Sequence, residues 1–193
     1  ILANKPGKII IGDYYLKCFA TESTKAEYLI SKQYMQMGIK IQTDCPEWVK
    51  ETTTKFRMNS DAAEGFLDFA YGFPYDFKNG LALGQLNNSG LVPANFKMVI
   101  YGSAKNPAIF VDEHIYSVNA EIGKNEYITI DSVNKTVILT KENGKQINLF
   151  NSRNKESYIF EKIPPGESIV SASNDELIFD ITLLEERSEP KWI

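Results

Sequence analysis

At 193 residues the chain has room for one large domain or two modest ones, and its 43% apolar and 24% charged residues are ordinary for a soluble globular protein. A net charge of −4 without any lysine- or arginine-rich run excludes the concentrated basic face of a nucleic-acid binder, and no apolar run approaches the roughly 20 residues of a membrane helix. Cys18 and Cys45 are too few for a secreted disulfide scaffold and sit in no metal-ligand pair, which fits two reduced thiols in a protein assembled in a cytoplasm.

The start, Ile1 to Pro6, has neither an initiator Met nor the apolar core of a signal peptide. A fragment is expected, because Ile9-Ile10-Ile11 opens a strand with no visible partner upstream. Residues 8–19 read as a β-hairpin turning at Gly12-Asp13. Residues 37–45 alternate Ile39 and Ile41 with Lys40 and Gln42, a second strand that Pro46 stops. Trp48, just beyond, suits the amphipathic cap of a core better than a stacking platform for a sugar.

Residues 60–80 break the strand rhythm. Phe69, Tyr71, Phe73, Tyr75 and Phe77 place five aromatics within nine residues, and Pro74 bars a helix through them. Such a loop must bury its rings in its own domain or in another subunit. Gly84–Asn95, with two glycines, Asn-Asn-Ser and a proline, is the expected linker, which gives domains at 1–90 and 91–193.

Strands are then expected at 95–102, 106–112 and 115–122. A three-stranded antiparallel unit follows at 126–150, with a type I′ turn at Asn143-Gly144. Tyr158-Ile159-Phe160 comes next, stopped by Pro164-Pro165-Gly166, and a last strand spans 176–184. About eight short strands with closely spaced turns are the pattern of a β-sandwich.

Catalytic chemistry finds little footing. The single histidine, His114, sits in an expected turn with no Gly-x-Ser-x-Gly elbow in the chain, so a solvated turn histidine is the reading. Glu185 and Glu186 are adjacent on a strand and point to opposite faces, so they cannot flank one glycosidic bond. Asp61, Glu64 and Asp68 lack calcium-loop spacing, and no phosphate loop is present. No catalytic, cofactor-binding or metal-ligating residue is assigned, and no cofactor is expected. Two readings remain: a structural assembly protein and, as the alternative, a carbohydrate-binding module for bacterial surface glycans, with Trp48, Tyr71 and Tyr75 as its platforms.

The run Glu126-Tyr127-Ile128-Thr129-Ile130-Asp131-Ser132 resembles the C-terminal half of siphovirus-type distal tail proteins of phages and prophages of Gram-positive bacteria. So do Asn134-Lys135-Thr136, Arg153-Asn154-Lys155, Ile159-Phe160-Glu161-Lys162-Ile163-Pro164-Pro165-Gly166 and Glu186-Arg187-Ser188-Glu189-Pro190-Lys191-Trp192. Pro46-x-Trp48 and Phe73-Pro74-Tyr75-Asp76-Phe77 are similar to segments of that family's N-terminal domain. The resemblance implies a mainly β protein: the remainder of a ring-forming belt domain, part of it missing upstream, followed by a galectin-like β-sandwich. It implies a structural, non-enzymatic member of the virion, assembled in the host bacterial cytoplasm, whose hexameric ring joins the tail tube to the tail-fibre or receptor-binding apparatus. The sandwich offers only His114 and Trp192 toward a galectin-type sugar site. The expected interface residues are Phe69, Tyr71, Phe73, Tyr75 and Phe77. Arg187 and Trp192 join them, on a tail (186–193) that folds back with Arg187 on a carboxylate and Trp192 lodged between the domains.

Overall fold

Alternating β-branched and aromatic residues with frequent turns dictate strands, and strands are what form. The computed structural model describes residues 6–28, 35–57, 84–174 and 177–190. Within them the regular elements are strands, apart from one 3-10 turn at Phe150–Ser152, so the chain is mainly β as expected.

The chain divides into two compact units, one formed by residues up to Glu51 together with those from Glu186 onward, the other by Thr52–Glu185. Strands β4 (Trp48–Phe56) and β15 (Ile178–Arg187) each leave one unit and enter the other. By compactness the chain divides at residues 51–52 and 185–186. Gly84–Asn95, read as a linker, contains strand β5 (Gly84–Asn88), which pairs with β14 (Gly166–Ala172) and buries Leu86 and Asn88. Its polar composition misleads because one of its two buried side chains is an amide satisfied by hydrogen bonds. The expected tail at 186–193 also begins as strand, since β15 runs through Glu186 and Arg187.

In the first unit, β1 (Gly7–Ile11) and β2 (Tyr14–Tyr28) form the expected hairpin, with Gly12 at φ 58°, a left-handed turn position that favours glycine. β2 runs far beyond it. Tyr14–Cys18 pairs with β1, Tyr15 also faces Val49 of β4, and Phe19–Tyr28 pairs with β3 (Met35–Gln42) across two register shifts.

The second unit is a β-sandwich. In one layer β4, β15, β6 (Asn95–Tyr101), β11 (Tyr127–Asp131), β12 (Thr136–Thr140) and β13 (Gln146–Asn148) are successive neighbours. The other layer has four strands, β5–β14–β8–β9, with β8 at Ala108–Val111 and β9 at His114–Ser117. The two-residue strands β7 (Ala104–Lys105) and β10 (Glu121–Ile122) pair separately. Period-two alternation sends Phe96, Met98 and Ile100 of β6, Ile128 and Ile130 of β11, and Ile181 and Leu183 of β15 into one apolar cluster. From the second layer Leu86, Ile109, Val111, Tyr116 and Val170 join the same cluster.

Three local expectations change. Residues 115–122 are two strands, because Val118–Ala120 is diverted: the Asn119 N–H donates to the Ser152 carbonyl at 2.7 Å. Tyr158–Phe160 is irregular rather than a strand, yet Ile159 and Phe160 are buried. At Asn143-Gly144 only the glycine has positive φ (77°), and Gly144 N–H donates to the Lys141 carbonyl at 2.8 Å. The loop is thus a three-residue connection, a type I turn closed by a left-handed glycine, rather than type I′.

Candidate assembly surfaces

Phe19–Tyr28 of β2 and β3 make a two-stranded ribbon. Met37, Ile39 and Ile41 lie on one of its faces, 45%, 56% and 43% exposed, and every residue from Gln36 to Gln42 is exposed. The opposite face is polar. Lys40 faces Glu22 there, and the Thr24 hydroxyl donates to the Gly38 carbonyl at 3.4 Å. A Cβ on Gly38 would come within 2.8 Å of that hydroxyl oxygen, so glycine is what lets Thr24 lie across the ribbon. The alternation of Ile39 and Ile41 with Lys40 and Gln42 announces this amphipathic strand; that its apolar side meets solvent rather than a core is not in the pattern.

At the base of the same unit the Tyr15 hydroxyl donates to Glu51 Oε1 at 2.6 Å, and Lys8 Nζ lies 3.7 Å from the Tyr15 ring centre. Burial first, then the hydrogen bond to the Glu51 carboxylate, pushes the Tyr15 phenol well above its usual range. Ile10 of β1 is 71% exposed. Arg187 Nη1 donates to the Tyr14 hydroxyl at 3.4 Å, its guanidinium 5.9 Å from that ring, so its partner among the described residues is an aromatic where a carboxylate was expected. Trp48, at the start of β4, is half-buried; Cys18 is buried and Cys45 exposed, both free thiols. Phe69, Tyr71, Phe73, Tyr75, Phe77 and Trp192 lie outside the described residues, as do Asp61, Glu64 and Asp68.

In the sandwich, Asn88 Nδ2 donates to the carbonyls of Val92, Ile163 and Pro164, each at 3.1 Å, while its Oδ1 accepts the Gly90 N–H at 3.0 Å. The Ser89 hydroxyl donates to the buried Glu185 at 2.6 Å, and Thr52 donates to the same carboxylate at 3.3 Å. The loop so fixed presents Leu91, 90% exposed. Nothing in the sequence signals Asn88, because an asparagine beside Ser89-Gly90 reads as turn.

His114 opens β9 rather than a turn and rests edge-on against Tyr116, 4.7 Å between ring centres. Its Nε2 is 2.9 Å from the Tyr158 carbonyl, an acceptor only, so Nε2 carries the proton. Ser157 Oγ is 3.3 Å from Nε2 but donates its own proton to the Ile115 carbonyl at 2.7 Å. This serine and histidine are therefore not arranged as nucleophile and base, which would need the imidazole lone pair facing the hydroxyl proton. Glu185 and Glu186 sit on opposite faces of β15, the first buried and the second half-buried. Among the described residues no group of three or more His, Cys, Asp or Glu is placed to hold a metal ion, and no helix is long and apolar enough to cross a membrane.

No family model and no curated protein matches the sequence. Solved structures do. The Dit (gp 19.1) protein of phage SPP1, described as a paradigm of the hub adsorption apparatus in phages infecting Gram-positive bacteria, superposes on 96% of this chain with a TM-score of 0.59 at 9% identity. The two chains share a fold. Two structures of the phage P2 baseplate in its activated conformation, with Ca and with Sr, match 92% of the chain at 16% and 15% identity with TM-scores of 0.49 and 0.48. The chain spans 66% of the length of each of these structures.

Proposed function

We propose that this chain is a structural subunit of a phage tail-tip hub, present in the virion and acting by assembly rather than by chemistry. The observation that carries the reading is the fold shared with the SPP1 hub protein over 96% of the chain. The first unit is the part that builds a ring, a hexamer as in the sequence-based expectation. The β-sandwich projects outwards, and the ring joins the tail tube to the tail-fibre or receptor-binding apparatus. Subunits are made and assembled in the host bacterial cytoplasm. Phe69, Tyr71, Phe73, Tyr75 and Phe77 belong to a subunit interface in this reading, since interface cores favour aromatic side chains. Arg187 and Trp192 belong to a tail that steadies the first unit, and the burial of Pro190 supports placing that tail against protein.

Electron microscopy of the purified native gene product tests this. Six-fold rings are expected, together with antibody labelling at the distal tip of intact virions and a drop in ring yield when Phe73 and Tyr75 are replaced by Ala. Label along the tail shaft or on the head, or a gene product that stays monomeric, overturns it.

A further inference from the structure

Asn88, Asn143, Asn148 and Asn154 are built alike. In each, the side-chain Oδ1 accepts the backbone N–H two residues on, from Gly90, Lys145, Phe150 and Glu156 respectively, at 2.8–3.0 Å. This Asx turn folds the carboxamide back along the chain, so that its carbon faces the nitrogen of the intervening residue. Two groups held this close react as an intramolecular pair, and the N–H on Oδ1 is a donor already in place for negative charge developing there.

These turns differ in what surrounds the pair. Asn88 is buried and its amide nitrogen is tied to three carbonyls, which hold it in place. Leu149 and Lys155 follow Asn148 and Asn154 and put a side chain beside the nitrogen, and the Leu149 N–H is bound to the Val137 carbonyl at 2.8 Å. After Asn143 comes Gly144, where even an added Cβ would meet nothing within 4 Å, so the approach is open. Every residue from Glu142 to Gln146 is exposed. The Gly144 N–H donates to the Lys141 carbonyl at 2.8 Å, and water takes over that carbonyl whenever the turn opens.

We propose that Asn143 is a site of self-modification, where the chain converts its own asparagine to aspartyl and isoaspartyl residues without an enzyme. The Gly144 nitrogen attacks Asn143 Cγ and forms a C–N bond. Its proton passes through water to the departing amide, which leaves as ammonia, and a succinimide closes. Water then opens the ring. At the side-chain carbonyl it leaves aspartate on the ordinary backbone; at the main-chain carbonyl it leaves isoaspartate, with the backbone rerouted through the β-carbon. Nothing is oxidised or reduced, and water is the sole co-reactant. Either product adds a negative charge to the loop between β12 and β13.

The native gene product, incubated at mildly alkaline pH, tests this. Conversion is followed by site-resolved peptide mass spectrometry, and isoaspartate by isoaspartyl methyltransferase labelling. Asn79, the other asparagine followed by glycine, lies outside the described residues and is read on its own peptide. Asn143 is expected to give both products, about tenfold or more faster than Asn148 and Asn154. Gly144→Ala is expected to slow the conversion by a similar factor. Should the φ of 77° at that position unfold the variant, Gly144→Asn, which tolerates it, takes its place. Equal rates at Asn143, Asn148 and Asn154, an Asn143 that stays intact, or aspartate without isoaspartate overturns the proposal and leaves the hub reading standing.

Discussion

The amide of Asn88 donates to three carbonyls, those of Val92, Ile163 and Pro164, with only two hydrogens, so one bond is shared. Asn88→Ala leaves these carbonyls and the Gly90 N–H without their partner inside the protein. Each unsatisfied buried group costs about 1–3 kcal/mol, and water reaching the loop recovers part, so a loss of about 3 kcal/mol in urea unfolding is expected. A loss under about 0.5 kcal/mol, the size of an ordinary surface change, sinks that account of the residue. Tyr116 makes a pH-dependent case. Its hydroxyl donates to the Glu161 carbonyl at 2.8 Å, and burial, with the carboxylates of Glu161 and Asp112 adding to it, pushes its ionisation far above the usual tyrosine range. The folded protein keeps this phenol neutral where the unfolded chain ionises it near about pH 10. The stability from that difference is thus fully present below about pH 10 and is lost as pH rises above it. Tyr116→Phe is expected to cost about 1 kcal/mol at pH 7 and to flatten the alkaline limb of stability against pH. An unchanged alkaline slope sinks the assignment to Tyr116.

At the scale of elements, β5 shows what a deletion would remove. A fragment of residues 95–193, cut at the expected linker, lacks Leu86, Asn88 and the Phe56 ring that stacks on Phe179 at 4.7 Å. Phe56 also closes over Gly84, where any Cβ would collide with its ring. Residues 52–187 retain all of these. The longer fragment is expected to melt cooperatively at a temperature near that of the whole protein's sandwich, and the shorter one to melt broadly or at least 10 °C lower, roughly the scale of losing a few kcal/mol in a domain of this size. Equal melts would return the boundary to residue 90. Why some strands are legible in the sequence and others read as linker is visible in the strands themselves. β11 and β12 were legible because Ile128, Ile130, Val137 and Leu139 are all buried, so hydropathy and burial agree. β14 went unread because it buries Ser168 beside Val170 and turns Ile169 to solvent, which scrambles the alternation. β5 buries an amide, and β7 and β10 are two residues long, too short for any period. At the candidate interface, sequence located the amphipathic strand of Met37, Ile39 and Ile41 but not its exposure, because hydropathy says which side is apolar and not what covers it.

For the whole molecule, the division of labour follows from where the two kinds of surface lie. The sandwich gathers its buried apolar residues in one cluster and satisfies Asn88, Asn95, Ser132 and Glu185 internally, while Leu91, Val92, Tyr158 and Ile169 remain in solvent. Among its described residues the first unit buries only Tyr14 and Cys18 of its large or apolar side chains and leaves Ile10, Met37, Ile39 and Ile41 in solvent. In the proposed hub subunit, the thinner core of the first unit fits a part that assembly completes and the larger core of the sandwich a part that folds by itself. The ring experiment above tests the first of these, and the fragment melts test the second.

The first unit also draws on both sides of the sandwich in the chain, residues up to Glu51 and those from Glu186 onward. Synthesis therefore delivers its pieces at different times. Ribosomes add about 5–20 residues per second, and domains fold as they emerge. A nascent chain stopped just short of Glu186 holds everything the sandwich needs, while the unit carrying β1 and β3 still lacks its last strand segment. Translation thus makes the exposed strands β1 and β3 first and completes the first unit last, when the segment from Glu186 arrives.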